Sequence, residues 1–272
     1  MKAFDFTNKT VIITGANSGI GKCLAKELIT KYNATIIAVA RNNDKLTAVK
    51  NELNDKSHLY ITYPFSVDKL ENWQNFEKEL SSKGIVPDVL INCAGVLPPF
   101  NKFENVLVND FTSVININFL SAVYGVNTFL PIIKSKGDGV IINVSSSSAL
   151  CPFAGVSAYT SSKVALERFS TSLAVEEKVV SVTTVMPGFT KTDVMRDQTQ
   201  TDKEKGVIDK ISADAQKVAK KIIKKASKRK RRVITGFDAH FMNFIYKVFP
   251  NSAPKFLTWF LKKSKFSTFK DI

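Results

Sequence analysis

The 272-residue sequence predicts an α/β fold of the doubly wound type, in which a seven-stranded parallel sheet carries helices on both faces. Short β-branched runs recur along the chain, and between them lie longer stretches whose apolar residues have helical spacing. Several runs, such as those at residues 11–13 and 140–142, are apolar throughout, as expected of strands that are buried on both faces. Together these two features favour a parallel sheet that is wound right-handedly.

The candidate strands and helices alternate along the chain. The seven candidate strands are Thr10–Thr14, Thr35–Ala40, His58–Tyr63, Val89–Asn92, Val140–Val144, Val179–Met186 and Val233–Thr235. The helical stretches between them are Ile20–Lys31, Leu70–Ser82, Phe111–Ile133, Ala158–Glu177 and Ala213–Ala226. We expect residues 1–236 to form one domain and residues 237–272 to form an extension of it, which Pro250 and Pro254 split into two short amphipathic helices.

The composition is that of an ordinary globular protein, with 44% hydrophobic and 23% charged residues. The first residues lack the apolar core of a secretory signal, and we expect no membrane-spanning helix. The three cysteines (Cys23, Cys93, Cys151) show no metal-ligand spacing, and His58 and His240 match no metal or nucleophile pattern. We therefore expect a cytoplasmic protein without a bound metal.

A glycine-rich turn follows the first strand. Residues 14–21 read TGANSGIG, and an amphipathic helix begins at once. Glycine tolerates a tight turn and lets the backbone approach a phosphate, while the free N–H groups and the helix dipole attract its charge. The pattern predicts a phosphate site at Gly19–Gly21, although glycines at a tight strand-to-helix turn also occur in many other α/β proteins.

The spacing of these glycines, behind Thr14 and near the N-terminus, resembles the cofactor motif of the short-chain dehydrogenase/reductase family. The other marks of that family follow in order over residues 7–192. They are Asn92-Cys93-Ala94-Gly95, Asn118, Ser146, Tyr159 with Lys163, and Pro187-Gly188. One departure is Ser66-Val67, where the family usually has Asp-Val, so that a carboxylate is absent from the adenine end.

The resemblance implies a Rossmann-type domain that binds a nicotinamide dinucleotide and acts as an oxidoreductase. The residues that it places at the cofactor are Gly15, Asn17, Ser18, Gly19, Ile20, Gly21, Val67, Asn92, Ala94, Gly95, Pro187, Gly188 and Thr190, with Tyr159 and Lys163. It also implies that Lys163 binds the nicotinamide ribose, that Thr190 contacts the carboxamide, and that residues 191–206 form a mobile lid. Family members are commonly dimers or tetramers, so a homo-oligomer is a further expectation.

The end of the second strand indicates which cofactor is bound. Enzymes that use NAD usually have an acid there for the ribose 2′-hydroxyl, whereas this chain has Val39-Ala40-Arg41-Asn42. Arg41 can direct two N–H groups at a 2′-phosphate, and Asn17 or Asn42 could add neutral donors. We therefore predict NADP(H); the alternative is that Arg41 is a solvated charge at a strand end.

Tyr159 is the one tyrosine with a lysine four residues later, Lys163, and positions i and i+4 share one face of a helix. A free tyrosine has a pKa near 10, and a neighbouring ammonium group and an oxidised nicotinamide would both lower it. We therefore expect Tyr159 to be the proton donor in reduction and the base in oxidation. Taken alone, this pair of residues is an ordinary helix face.

Two more polar residues complete the predicted catalytic set. Ser145–Ser148 follow the fifth strand, where a hydroxyl can hydrogen-bond the substrate oxygen, and the family's spacing to Tyr159 selects Ser146 over Ser145 and Ser147. By resemblance, the amide of Asn118 would hold a water that relays protons to Lys163. Asn116 is the competing candidate.

Positive charge is concentrated at the C-terminal end. From Lys210 onward there are 17 Lys and Arg residues against three acids, which gives +14 of the total formal charge of +15. For the segment Lys217–Arg232 a solvated helix face is favoured over binding of nucleic acid or anionic lipid. The extension interleaves Phe and Trp with Lys; packing across a pocket or a second subunit is favoured, and docking at a membrane interface is the second interpretation.

The sequence thus predicts an NADPH-dependent enzyme that reduces a ketone or an aldehyde, or oxidises the corresponding alcohol. The small-molecule substrate is expected to be apolar or lipid-like. The alternative is a non-catalytic NADP-binding regulatory protein, or a nucleic-acid-binding protein that uses the basic tail; the presence of the complete Ser, Tyr, Lys and Asn set argues against it.

Overall fold

The computed structural model describes residues 2–192 and 212–264, together with residues 266, 269 and 272. Its seven strands form one parallel sheet in the order β3-β2-β1-β4-β5-β6-β7, which confirms the predicted fold class. The strands are β1 (Thr10–Thr14), β2 (Thr35–Ala40), β3 (Tyr60–Pro64), β4 (Val89–Asn92), β5 (Gly139–Val144), β6 (Val180–Pro187) and β7 (Arg232–Thr235). The third strand begins later than predicted because His58 belongs to a 3₁₀ turn, Asn54–Leu59.

The described helices include every predicted one, together with one that the sequence did not reveal. They are α1 (Gly19–Tyr32), α2 (Asn43–Asn51), α3 (Leu70–Ser82), α4 (Val108–Ile115), α5 (Ser121–Ser135), α6 (Ser157–Glu176), α7 (Ala215–Ser227), α8 (Phe237–Val248) and α9 (Ala253–Lys263). Helix α2 was not predicted, because it buries only Leu46 and Val49 and has little apolar periodicity. Asn42 starts it by accepting a hydrogen bond from Lys45 N at 2.8 Å.

The predicted helix Phe111–Ile133 is α4 and α5 joined by a π-helical turn, Asn116–Leu120. The stretch Val108–Ser135 is long and apolar enough to cross a membrane by length and composition, although no apolar run of that length was expected; a core helix passes the same test. Residues 111–133 contain no charged side chain. In this fold Phe129 and Ile133 of the same stretch are fully buried in the core beneath the sheet.

The core consists of two apolar layers, one on each face of the sheet. In β1, Val11 and Ile13 face the layer that contains Leu24 and Leu28 of α1, whereas Ile12 faces the opposite layer. Both faces of the strands are buried, as the continuous apolar runs predicted. Strands β2 and β4 lie on opposite sides of β1, so the order in which strands are added to the sheet reverses at this point. Ligands of such folds bind in the crevice at the carboxyl ends of the two strands that flank the reversal, here β1 and β4.

The basic segment Lys217–Arg232 forms α7 and the start of β7. Helix α7 buries Val218, Ile222 and Ile223 while its lysines face outward. The Arg229 Nη2 atom donates to both carboxylate oxygens of Asp138, at 2.7 and 2.8 Å. These contacts agree with the interpretation of the segment as a solvated helix face.

The C-terminal extension forms two helices, as predicted, but only one of the two prolines separates them. Pro250 lies between α8 and α9, whereas Pro254 lies within the first turn of α9, where the missing N–H is not needed. The inner faces of the helices pack against the body of the protein through Met242 and Leu257, next to Cys151.

Candidate active site

The glycine-rich turn is built so that side chains would not fit. Gly15 has a φ of +69°, and a Cβ there would lie 3.0 Å from Ala94 Cα. A Cβ on Gly21 would collide with the carbonyl oxygen of Gly15, because the first turn of α1 rests on the loop. Gly19 has a φ of +49°. The first turn of α1 has no acidic residue, so the positive end of its dipole faces the cleft unopposed.

Thr14 fixes the turn to the neighbouring strand end. Its Oγ1 accepts hydrogen bonds from Cys93 N and Ala94 N, both at 3.0 Å. Sequence reasoning used Thr14 only as a flanking mark of the motif and gave it no contact. This pair of bonds places Ala94 and Gly95 on the wall of the cleft.

Asn92, predicted at the cofactor, does not line the cleft. Its side chain is buried and donates from Nδ2 to Asn143 Oδ1 of β5 at 2.8 Å. Asn143 in turn donates to Ser170 Oγ of α6, also at 2.8 Å. Asn92 therefore ties β4 to β5 behind the site, because its side chain points into the sheet layer rather than to the strand end.

The adenine end of the cleft has two cations. Arg41 is exposed directly after β2, and Lys45, exposed in the first turn of α2, lies on the same cleft wall. No side chain of the described residues forms an ion pair or hydrogen bond with the Arg41 guanidinium. Asn17, Asn42 and Val67 also line the cleft, and Asn42 uses its Oδ1 as the cap of α2. Sequence reasoning missed Lys45 because it missed α2.

Tyr159 and Lys163 lie one helical turn apart on α6 and both face the cleft. The Lys163 Nζ atom is 5.8 Å from the centroid of the Tyr159 ring and donates a hydrogen bond to Val144 O at 3.1 Å. Lys163 is 4% exposed, so β5 and α6 hold its ammonium group at the end of the sheet. The predicted pairing of these two side chains is present.

The predicted decrease of the Tyr159 pKa is not present in this structure. Burial raises the pKa of the Tyr159 phenol, and a hydrogen bond with Ser146 opposes that rise without cancelling it. Burial likewise lowers the pKa of Lys163 to about 8, so the ammonium group is still mostly charged at pH 7 but titrates just above it. The neighbouring ammonium group can be inferred from the sequence, whereas the desolvation of the phenol depends on how the folded chain packs around it.

Among the serines after β5, Ser146 is the one in contact with Tyr159. It is half-buried, faces the cleft and accepts a hydrogen bond from Ser148 N at 3.2 Å. Ser145 is engaged elsewhere, because its Oγ donates to Lys163 O at 2.8 Å. The structure thus agrees with the choice of Ser146 over Ser145.

Asn118 lies in the π-helical turn and is buried. Its Oδ1 accepts from Val96 N at 2.7 Å, and its Nδ2 donates to Val96 O and Ser162 Oγ at 2.9 and 3.1 Å. Both amide donors are used, so a proton-relaying water would have only a lone pair of Oδ1 left on this side chain. The bonds show instead that Asn118 holds the segment after β4 beside Lys163, since a Cβ on Gly95 would lie 3.2 Å from both side chains.

The loop after β6 closes the opposite end of the cleft. Pro187, Gly188 and Thr190 line it as predicted, and Thr190 Oγ1 donates to Gly188 O at 2.9 Å. Asp238 of α8 supports this loop by accepting from Phe189 N at 2.6 Å. Sequence reasoning missed Asp238, because a carboxylate in the extension gives no local sign of this contact. Most of the predicted lid, residues 193–206, lies outside the described residues.

One cleft of about 520 Å³ is lined by the glycine turn, Arg41, Lys45, Ser146, Tyr159, Lys163 and the loop after β6. One wall is polar and contains the glycine turn, Ser146, Tyr159 and Lys163. The other is apolar and consists of Leu97, Phe100, Phe153, Val156 and Phe189. The described residues contain no group of three or more His, Cys, Asp or Glu that could hold a metal ion. Burial raises the pKa of the Cys93 thiol to about 12, so this cysteine is not a ready nucleophile.

The cleft fits a nicotinamide dinucleotide. The glycine turn lines the cleft next to the N-terminus of α1, where backbone N–H groups and the helix dipole can bind a pyrophosphate. Arg41 and Lys45 stand at one end, and Tyr159, Lys163 and Thr190 stand at the other. This order is the one that the resemblance implied.

Comparisons with known proteins agree with this geometry. A family model described as short chain dehydrogenase matches residues 9–203. The 3-ketodihydrosphingosine reductase of Bos taurus is 33% identical over 246 residues, which cover 86% of this chain and 73% of the relative. The NADPH-dependent pterin aldehyde reductase of Arabidopsis thaliana is 32% identical over 189 residues, which cover 69% and 77% of the two chains.

A solved structure, that of levodione reductase, superimposes with a TM-score of 0.77 at 21% identity and covers 87% of this chain and 98% of its own. At that identity the likeness shows the fold, while the family follows from the match over residues 9–203 and from the relatives above 30% identity. The chain therefore belongs to the short-chain dehydrogenase family and is an oxidoreductase that acts on CH–OH or C=O groups.

Proposed function

We propose that this protein is an NADP(H)-dependent reductase of a ketone or an aldehyde on an apolar, lipid-like substrate, with oxidation of the corresponding alcohol as the reverse reaction. The observation on which the proposal chiefly rests is the placement of Ser146, Tyr159 and Lys163 between the glycine turn and the apolar wall of one cleft. Residues of these types at this place can orient a carbonyl oxygen and protonate it.

Tyr159 would act as the proton donor in the reductive direction. A phenol that stays protonated near neutral pH is a proton donor, and Ser146, in contact with it, can hydrogen-bond the same carbonyl oxygen. When bound, the reduced dinucleotide supplies the hydride that adds to the carbonyl carbon. The Tyr159 O–H bond breaks as its proton passes to the oxygen, and the phenolate left behind is stabilised by Ser146 and by the positive charge of Lys163.

Arg41 and Lys45 support the choice of NADP(H) over NAD(H). Arg41 directly after β2 and Lys45 in the first turn of α2 can bind a 2′-phosphate. The residues that end β2 include no acid for a 2′-hydroxyl, and the nearest one, Asp44 of α2, does not line the cleft. The name of the Arabidopsis relative, an NADPH-dependent reductase, is in keeping with this choice.

The apolar wall supports a lipid-like substrate. The aromatic residues Phe100 and Phe153 stack at 6.3 Å between ring centroids, and Phe269 packs edge-on against Phe100 at 5.0 Å. Such a wall binds hydrocarbon far better than sugars or charged metabolites. The name of the Bos taurus relative, 3-ketodihydrosphingosine reductase, supports the choice of a keto lipid as the first substrate to test.

We also propose a cytoplasmic location, because three free thiols suit a reducing compartment. Assembly into a homo-oligomer, and the division of the chain into a domain of residues 1–236 and an extension, are further proposals. Size-exclusion chromatography with light scattering measures the first of these directly.

The experiment that tests the proposed function is a rate measurement with a graded panel of substrates. Ketones and aldehydes with the same reacting group and increasing alkyl length are offered with NADPH and, separately, with NADH. We expect kcat/KM to rise with alkyl length and to be higher with NADPH. If no carbonyl compound is reduced, or if short polar ones react fastest, the proposal is wrong.

A further inference from the structure

The outer surface of the C-terminal extension is unusually rich in exposed aromatic side chains. Of the eight Phe and Trp side chains that are exposed in the described residues, seven lie within residues 237–260. Six of them form what we call the aromatic face: Phe237, Phe241 and Phe244 on α8, and Phe256, Trp259 and Phe260 on α9, with exposures from 40% to 87%. Clusters of this kind on a soluble protein usually mark a binding surface.

The aromatic face is separate from the buried side by which each helix packs on the protein. Its residues recur every three or four positions, so they form one stripe on each helix. The opposite stripes are the buried ones, and they contain Ala239, Met242 and Ile245 on α8 and Ala253 and Leu257 on α9. Both helices thus have one apolar side that packs on the protein and a second that meets solvent.

The charges around the aromatic face are positive. Four exposed lysines, Lys247, Lys255, Lys262 and Lys263, lie on the same two helices. Lys263 Nζ is 4.9 Å from the centroid of the Trp259 ring. The one acidic residue within 237–264 is Asp238, which is engaged by Phe189 N. A partner for this surface must therefore offer both an apolar phase and negative charge.

We propose that the aromatic face docks on the surface of an anionic lipid bilayer. Phe and Trp side chains enter the boundary between headgroups and acyl chains, and lysines beside them reach the anionic headgroups. A second copy of the chain fits less well, because a two-fold interface through this face would bring lysines against lysines. Nucleic acid would satisfy the lysines but would leave most of the exposed ring area in water.

The extension also borders the substrate end of the cleft. Ala154 N donates to Thr258 Oγ1 of α9 at 3.0 Å, and Leu261 packs with Phe100 and Val156 of the apolar wall. Docking would therefore hold the apolar end of the cleft close to the bilayer. That consequence, direct access of a lipid-like substrate from the membrane, rests on the proposed function, whereas the docking itself does not.

Co-sedimentation of the full chain with vesicles tests the docking without any measurement of activity. Vesicles of phosphatidylcholine alone are compared with vesicles that also contain phosphatidylserine, at low and high salt. We expect the protein to sediment with the anionic vesicles and to be released in part by salt. The double variant Phe244→Ser with Trp259→Ser should lose at least about tenfold in the partition coefficient.

A matched control is Phe103→Ser, because Phe103 is 64% exposed, as Phe244 is at 62%, but lies outside the extension. It should bind vesicles like the wild type. A second variant, Lys255→Glu with Lys262→Glu, should weaken binding to anionic vesicles while leaving the aromatic face intact. Circular dichroism and the thermal midpoint verify that each variant is folded.

The proposal is wrong if the wild type does not bind anionic vesicles, or if the aromatic-face variant and Phe103→Ser bind them equally. It is also wrong if the aromatic-face substitutions instead convert a wild-type dimer into a monomer, or abolish binding to an oligonucleotide, while vesicle binding stays unchanged. A folded protein that binds vesicles but reduces no carbonyl would refute the proposed function and leave the docking intact.

Discussion

Replacing Arg41 by alanine should weaken the binding of NADPH much more than the binding of NADH. The Arg41 guanidinium is exposed at the cleft end of β2, and no described side chain neutralises it, so its charge is available to a 2′-phosphate. A hydrogen bond to a charged group contributes about 1.5–3 kcal/mol, and solvent exposure places this one at the lower end of that range. Since Lys45 remains, we expect the Kd for NADPH to rise about 10- to 30-fold, which corresponds to about 1.5–2 kcal/mol.

Fluorescence titration of both cofactors measures this effect on wild-type protein, Arg41→Ala and a charge-matched control. Lys78→Ala is that control, because Lys78 is exposed on α3 outside the cleft lining and its loss changes the formal charge equally. Lys78→Ala should leave both affinities unchanged, and the Arg41→Ala defect should shrink as salt is added. An equal loss for NADPH and NADH, or no loss at all, would refute the assignment of Arg41 to the 2′-phosphate.

Three further substitutions test other parts of the site. Ser146→Ala should lower kcat by about 10²–10³-fold with little change in the Kd for NADPH, because a hydrogen bond to the developing charge is removed; stopped-flow rates would contradict this if they stayed at the wild-type level. The pKa of Lys163 is about 8 in the folded protein and near 10.5 in the unfolded chain. Burial of the charged lysine therefore destabilises the fold at neutral pH, and this destabilisation declines as the pH rises. Between pH 7.5 and 9.5 the wild type should gain about 2 kcal/mol in urea unfolding relative to Lys163→Met, and a constant difference would contradict the argument. Asp238→Ala should raise the Kd for NADPH and lower the free energy of unfolding by about 1–2 kcal/mol. Asp238→Asn should restore much of both, because its amide oxygen can still accept a hydrogen bond from Phe189 N. If Asp238→Asn is no better than Asp238→Ala, this hydrogen bond does not account for the effect.

The sheet could be predicted from the sequence because each strand is an uninterrupted apolar run, and runs buried on both faces occur mainly in parallel sheets. Helix α2 could not, since only two of its residues are buried and the capping bond of Asn42 is its main local determinant. Nor did the apolar pattern of residues 111–133 reveal the π-helical turn that interrupts the long helix at Asn116–Leu120.

The candidate site was predictable where its chemistry is local. Tyr159 and Lys163 are one turn apart in any helix, so their pairing follows from sequence spacing. The direction of the Tyr159 pKa shift does not, because desolvation depends on what the rest of the fold packs around the phenol. Asp238 contacts Phe189 in the loop after β6, although the two residues are 49 positions apart in the sequence. A contact between residues so far apart leaves no periodicity or motif in the sequence.

The proton-donating role of Tyr159 is the central claim, and the variant Tyr159→Phe tests it most directly. The ring stays in place while the phenolic hydroxyl is lost, so NADPH titration should give an unchanged Kd. With the best carbonyl substrate of the panel, kcat should fall by about 10²–10⁴-fold, the range that general acid catalysis provides. A variant that binds NADPH normally and still reduces the carbonyl at the wild-type rate would contradict the account.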